Sequence, residues 1–132
     1  MRVYLDTAIL IYLVEDVTPF CAIASTRLAS SEIEKVTSEL TRMETLVLPL
    51  RKADEKLVAA FNRYIDTACI EALKLSRAVI ETAAQLRARH PFLKTPDAIH
   101  LAAAIEGGCD VFLTNDHRLD RFTEIAVEVL GP

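Results

Sequence analysis

Short apolar runs and longer stretches of helical period alternate along the chain. Residues 2–5 (RVYL), 35–38 (KVTS), 69–75 (CIEALKL), 109–114 (CDVFLT) and 125–130 (IAVEVL) read as strands. Between them, apolar residues recur three and four positions apart, the period of an amphipathic helix. That pattern predicts helices over residues 7–14, 22–31, 39–50, 53–65, 76 to about 90, and 95–106, with a short helical turn at 117–122. Leu40, Met43, Leu46, Val47 and Leu50 form the expected inward stripe of the 39–50 helix. Leu57, Val58, Phe61, Tyr64 and Ile65 do the same for the next helix, and Val79, Ile80, Ala83, Ala84 and Leu86 for the one after. Alternation in 69–75 is imperfect, since Lys74 falls on the face of Ile70 and Ala72.

Punctuation is plainest in the last third. Thr95 reads as an N-cap, Pro96 as the first helical residue and Asp97 as a first-turn acid. Gly107-Gly108 stops that helix, and Asn115-Asp116 breaks the strand that follows. Helices alternating with short apolar strands imply an α/β fold with a parallel sheet covered on both faces.

Composition narrows the class. A chain of 132 residues, 52% hydrophobic and 26% charged, is expected to fold as a single domain over residues 1–132. With 3 Gly and 5 Pro there is little room for flexible linkers. No apolar run reaches the length of a bilayer span, and no basic segment precedes an apolar leader. A cytoplasmic protein without membrane association is therefore expected. Cys21, Cys69 and Cys109 are dispersed, with no CxxC pair, and read as buried free thiols of a reducing compartment. The net charge of −4 counts against simple electrostatic capture of nucleic acid. It is compatible with a phosphate substrate held through metal ions, where clustered carboxylates are required.

Ligands of an open parallel sheet bind beyond the carboxyl ends of its strands. Asp6 directly follows the first strand, and Asp116 follows the strand CDVFLT. Asp97 opens the helix that leads into that strand, and Glu44 lies in the helix after KVTS. Each has a local explanation. Asp6 and Asp116 could cap helices, Asp97 could answer the helix dipole, and Glu44 could pair with a base one turn away. Asp6 is the most demanding of them, because an ionised group among Val3, Tyr4, Leu5, Ile9 and Leu10 is costly without a partner. Four carboxylates meeting at one sheet edge would repel one another unless cations balance them, and an oxygen-only set suits Mg²⁺ or Mn²⁺.

LDTAIL at the start, TSELTRMETL, TPDAIHLAAAIEGG and FLTNDHRL together run across nearly the whole chain. In order and spacing they resemble the PIN-domain ribonucleases, and within them the VapC-type toxins of toxin–antitoxin pairs. The resemblance implies a PIN-like three-layer α/β/α sandwich with a central, mainly parallel sheet of four or five strands. It implies a catalytic and metal-binding set of Asp6, Glu44, Asp97 and Asp116, accompanied by the Thr114 hydroxyl. The activity implied is hydrolysis of RNA phosphodiester bonds with Mg²⁺ or Mn²⁺. The partners implied are an RNA substrate, a VapB-like antitoxin and a second copy of the chain. One departure is Ala8, where many members carry Asn or Ser, leaving Thr7 as the only hydroxyl beside Asp6.

Other classes fit less well. A phosphoacceptor receiver domain would show an acidic pair near Asp6, and a haloacid-dehalogenase-like phosphatase would show Asp at the position of Ala8. A catalytically inactive PIN-fold interaction module is the remaining alternative. Candidates to hold RNA are Arg42, Arg51, Lys52, Arg87, Arg89, His90, Lys94, His117 and Arg118, though any single one reads first as a solvated charge. His100, one turn after Asp97, could touch the site, but its neighbours Ile99 and Leu101 favour a helix residue satisfied locally. Phe61 and Tyr64, with Ile9, Ile11 and Tyr12, read either as ordinary core or as a docking surface.

Overall fold

A computed structural model of the protein describes residues 1–131. Strands form at Arg2–Leu5 (β1), Glu34–Ser38 (β2), Glu71–Leu73 (β3), Val111–Thr114 (β4) and Ala126–Val129 (β5). They make one sheet in the order β3-β2-β1-β4-β5, and every neighbouring pair is parallel. Helices are Thr7–Val14 (α1), Phe20–Arg27 (α2), Glu39–Arg51 (α3), Glu55–Arg63 (α4), Arg77–Arg89 (α5) and Thr95–Glu106 (α6). A π turn, Tyr64–Ala68, extends α4, and a 3₁₀ turn spans His117–Arg121.

β1 is central and buried on both faces, which explains why Val3, Tyr4 and Leu5 run apolar without alternation. The two-residue period of the strand still sorts them. Val3 and Leu5 join Leu113 in a core closed by Ile9 and Leu10 of α1, Ala24 of α2 and Ile65. Tyr4 and Phe112 point the other way, into a core built with α5 and α6. The result is the three-layer α/β/α sandwich. Phe61 and Ile9 are core residues, so the docking-surface reading fails for both.

Local chemistry moves several boundaries. β3 keeps only three residues of the expected 69–75 strand, because it is an edge strand and Lys74 already turns to solvent ahead of the Ser76 cap of α5. α2 runs from Phe20 to Arg27 rather than over 22–31. Thr95 is the first helical residue of α6 rather than its cap, and Lys94 takes the cap position. Asp97 accepts the Lys94 backbone N–H at 2.9 Å, and this reach back from the third helical position fixes the start. At the other end Gly108 adopts φ +67°, the left-handed conformation that glycine takes without steric cost. All three cysteines are free, but only Cys69 is fully buried, with Cys21 and Cys109 partly covered.

The largest departure is the face of α3. Leu40 points inward as expected, but Thr41, Thr45 and Pro49 complete the buried face. Met43, Val47, Leu48 and Leu50 are exposed. Small hydroxyl residues fill this face, and Thr45 satisfies its own hydroxyl on the Arg42 carbonyl at 3.0 Å. This rotation is also the one that turns Glu44 toward α1 and α6, through the contacts described next.

Candidate active site

Strand order reverses beside β1, whose neighbours are β2 and β4, so a crevice opens beyond the carboxyl ends of β1 and β4. The pairing of Leu5 with Leu113 sets Asp6 level with Thr114, and the Asp6 N–H donates to the Leu113 carbonyl at 3.0 Å. Asp6 divides its two carboxylate oxygens. Oδ1 accepts the Thr7 backbone N–H at 2.8 Å, which makes Asp6 the N-cap of α1. Oδ2 accepts the Thr114 hydroxyl at 2.6 Å. That buried hydroxyl in turn accepts the Asp116 N–H at 3.1 Å.

Asp116 caps the 3₁₀ turn through the Arg118 N–H at 2.9 Å. Its other oxygen receives the Arg118 guanidinium at 2.6 Å, and the same nitrogen reaches Asp97 at 3.3 Å. Glu44 stands on the opposite side. Its Oε1 accepts the Thr7 hydroxyl and His100 Nε2, both at 2.6 Å. His100 Nε2 also lies 3.7 Å from Asp6 Oδ1. A single run of polar contacts therefore links Glu44, Asp6, Thr114, Asp116 and Asp97, passing through Thr7, His100 and Arg118.

Arg118 supplies positive charge among these carboxylates, and His100 stands against Glu44. Burial opposes ionisation of Glu44, but the bonds from His100 and Thr7 and the His100 charge outweigh it and hold the carboxyl below its ordinary value. The Asp116 hydrogen bond, aided by Asp97, holds the Arg118 guanidinium above its ordinary value against a smaller desolvation effect. Among the described residues, no three Asp, Glu, His or Cys side chains are gathered into a ready-made cation cage. The donor chemistry nevertheless fits a hard divalent ion, since Asp6, Asp97, Asp116 and Thr114 offer oxygen alone. Arg118 bridges two of those carboxylates from an exposed side chain.

Half of the other basic candidates are engaged elsewhere. Arg42 binds Glu39, Asn62 and Asp66. Arg89 and His90 share Glu124, and Arg87 donates to the Leu93 carbonyl and to Thr95. Arg51, Lys52, Lys94 and His117 are exposed. His100 corrects the sequence reading: its partners are not local but Glu44, 56 positions away, and Tyr4, 96 positions away. A polar ring four positions before Ala104, on one face of α6, was the available signal.

A family model described as PIN domain matches residues 3–125. The fold closely follows that of VapBC2 from Rickettsia felis, solved bound to a DNA fragment of its promoter. The TM-score is 0.80 at 15% identity, over 99% of this chain and 100% of that one. A toxin–antitoxin complex from Klebsiella pneumoniae superposes with TM-score 0.77 at 22% identity, over 98% of each chain. Mycobacterium tuberculosis VapC20, described as a sarcin–ricin loop cleaving toxin, gives 0.72 at 19% identity, over 94% of this chain and 98% of that one. No curated protein matches the chain.

Proposed function

This chain belongs to the PIN-domain family, and from that premise we propose that it is a metal-dependent endoribonuclease, the toxin of a VapBC-like pair. The observation that carries the reading is the convergence of Asp6, Asp97, Asp116, Glu44 and Thr114 on one connected site at the β1–β4 crevice. Asp6, Asp97 and Asp116 would hold Mg²⁺ or Mn²⁺. When bound, the metal activates water and neutralises charge on the phosphate in flight. Thr114 fixes the rotamer of Asp6 and the backbone of Asp116. Glu44 orients the attacking water. Arg118, released from Asp97 and Asp116, is placed to pair with the RNA phosphate. The likeness to toxin–antitoxin complexes supports an antitoxin as partner, and a second copy of the chain is proposed with it. The exposed row Met43, Val47, Leu48 and Leu50 supports a surface that a partner covers.

The test is cleavage of a structured RNA pool by the purified protein with Mg²⁺ or Mn²⁺, and with EDTA. Metal-dependent cleavage is expected, and cleavage that persists in EDTA would end the reading. The inactive interaction module keeps one observation in its favour, the pairing of Arg118 with Asp97 and Asp116. Absence of cleavage with either metal, together with no metal-induced rise in melting temperature, would select it.

Arg118 itself makes a second prediction. As a competitor for two metal-binding carboxylates, it weakens metal entry. Arg118→Ala is expected to bind Mn²⁺ roughly threefold to tenfold more tightly by titration calorimetry, the range of one or two exposed ion pairs. Its affinity for RNA should fall at the same time. Unchanged or weaker Mn²⁺ binding would show that the guanidinium does not compete.

A further inference from the structure

His100 is 4% exposed, and both of its ring nitrogens are engaged. Nε2 faces Glu44 Oε1 at 2.6 Å, a carboxylate that can only accept, so Nε2 carries a proton. Nδ1 meets the Tyr4 hydroxyl at 2.7 Å, and that hydroxyl also bonds Ser38 at 2.7 Å. Tyr4 is fully buried and stacked on Phe112, with ring centroids 5.2 Å apart and planes within 8°. Its hydroxyl cannot move without moving the sheet. Turning the imidazole over would break both hydrogen bonds at once.

We propose that His100 is a positioning residue, anchored by the buried Tyr4 hydroxyl, that fixes the Glu44 carboxylate facing the catalytic crevice. Glu44 lies on α3, one long side chain from the crevice, and among the described residues its carboxylate is held by Thr7 and His100. Thr7 holds Glu44 from α1, and His100 holds it from α6. Without the imidazole, one of two constraints is lost and the carboxylate samples other rotamers. This inference rests on the ribonuclease reading and on the role given there to Glu44.

The experiment measures single-turnover RNA cleavage and RNA affinity for four variants checked for fold by circular dichroism. Glu44→Gln tests the underlying role and is expected to be nearly inactive. His100→Ala is expected to cleave about tenfold or more slowly at unchanged RNA affinity, the usual scale for a group that orients a site ligand. His100→Gln restores an N–H toward Glu44 but no partner for the Tyr4 hydroxyl, and should return to within about threefold of the parent. Tyr4→Phe removes one oxygen and should slow cleavage a few-fold, which keeps the test decisive if the alanine variant fails to fold. Rescue by glutamine is the readout that a merely structural histidine would not give. Full activity in His100→Ala with Glu44→Gln inactive would overturn the proposal alone. So would a glutamine variant no faster than the alanine one, or parent-like cleavage by Tyr4→Phe. Full activity in Glu44→Gln would overturn the proposal and the role of Glu44 together.

Discussion

Asp6→Asn is expected to yield a folded protein that cleaves RNA at least about a thousandfold more slowly than the parent, because the metal's several kcal/mol of transition-state stabilisation go with its ligand. Asparagine keeps the size and the cap of this position, but puts an amide NH₂ where Oδ2 accepts the Thr114 hydroxyl. Its side-chain oxygen caps a helix as well as aspartate does, so the bond from the Thr7 N–H persists. The fold should therefore lose no more than about 1 kcal/mol. Mn²⁺ affinity should drop in parallel with cleavage, which separates a lost ligand from a lost shape. Asp6→Ala gives the contrast: equal loss of cleavage, with the cap removed as well and a lower melting temperature. Cleavage at the parent rate by a well-folded Asp6→Asn protein would remove Asp6 from the site.

Phe112→Ala is expected to destabilise the protein by roughly 3–5 kcal/mol, the usual loss for emptying a buried aromatic site. Phe112 is fully buried in β4, between the parallel stack on Tyr4 and the small residues of α6. Those alanines, Ala102 and Ala103 among them, have no longer side chains with which to fill the hole. Against a typical total stability of about 5–15 kcal/mol the loss is large. Urea unfolding checks it, with a midpoint lower by roughly 2 M for a domain of this size. Phe112→Leu fills most of the volume and should cost far less. Because the ring supports Tyr4, the alanine variant should also cleave more slowly than its folded fraction predicts. A midpoint within about 0.5 M of the parent would show that the site collapses without a cavity.

The legible parts of this molecule are those decided by near neighbours in sequence. The start of α6 was readable to one residue, because Thr95, Pro96 and Asp97 act on one another locally. Asp6 and Asp116 were readable because each ends a strand whose apolar run is plain. The inward face of α3 was not readable. Counting apolar residues selects Met43, Val47 and Leu50, whereas the packing surface selects small Thr41 and Thr45. The bonds of His100 were illegible for a related reason. Periodicity can place it on a buried face, but nothing local tells that Tyr4 and Glu44 arrive there from β1 and α3. Arg118 as the cation between Asp97 and Asp116 lay equally out of reach, since the pairing depends on where the 3₁₀ turn points.

The central strand has a consequence for how such a chain is made. β1 is translated well before its pairing partner β4, which follows more than a hundred residues later, and the Asp6–Thr114 bond spans 108 positions. This is contact order of the kind that slows folding. At a synthesis rate of about 5–20 residues per second, Asp6 waits on the order of 5–20 s for its partner to be added to the chain. During that interval neither β4 nor Asp116 exists to complete the crevice. On the ribonuclease reading proposed above, the acidic site of a nascent chain with this topology is complete only once Asp116 has been added.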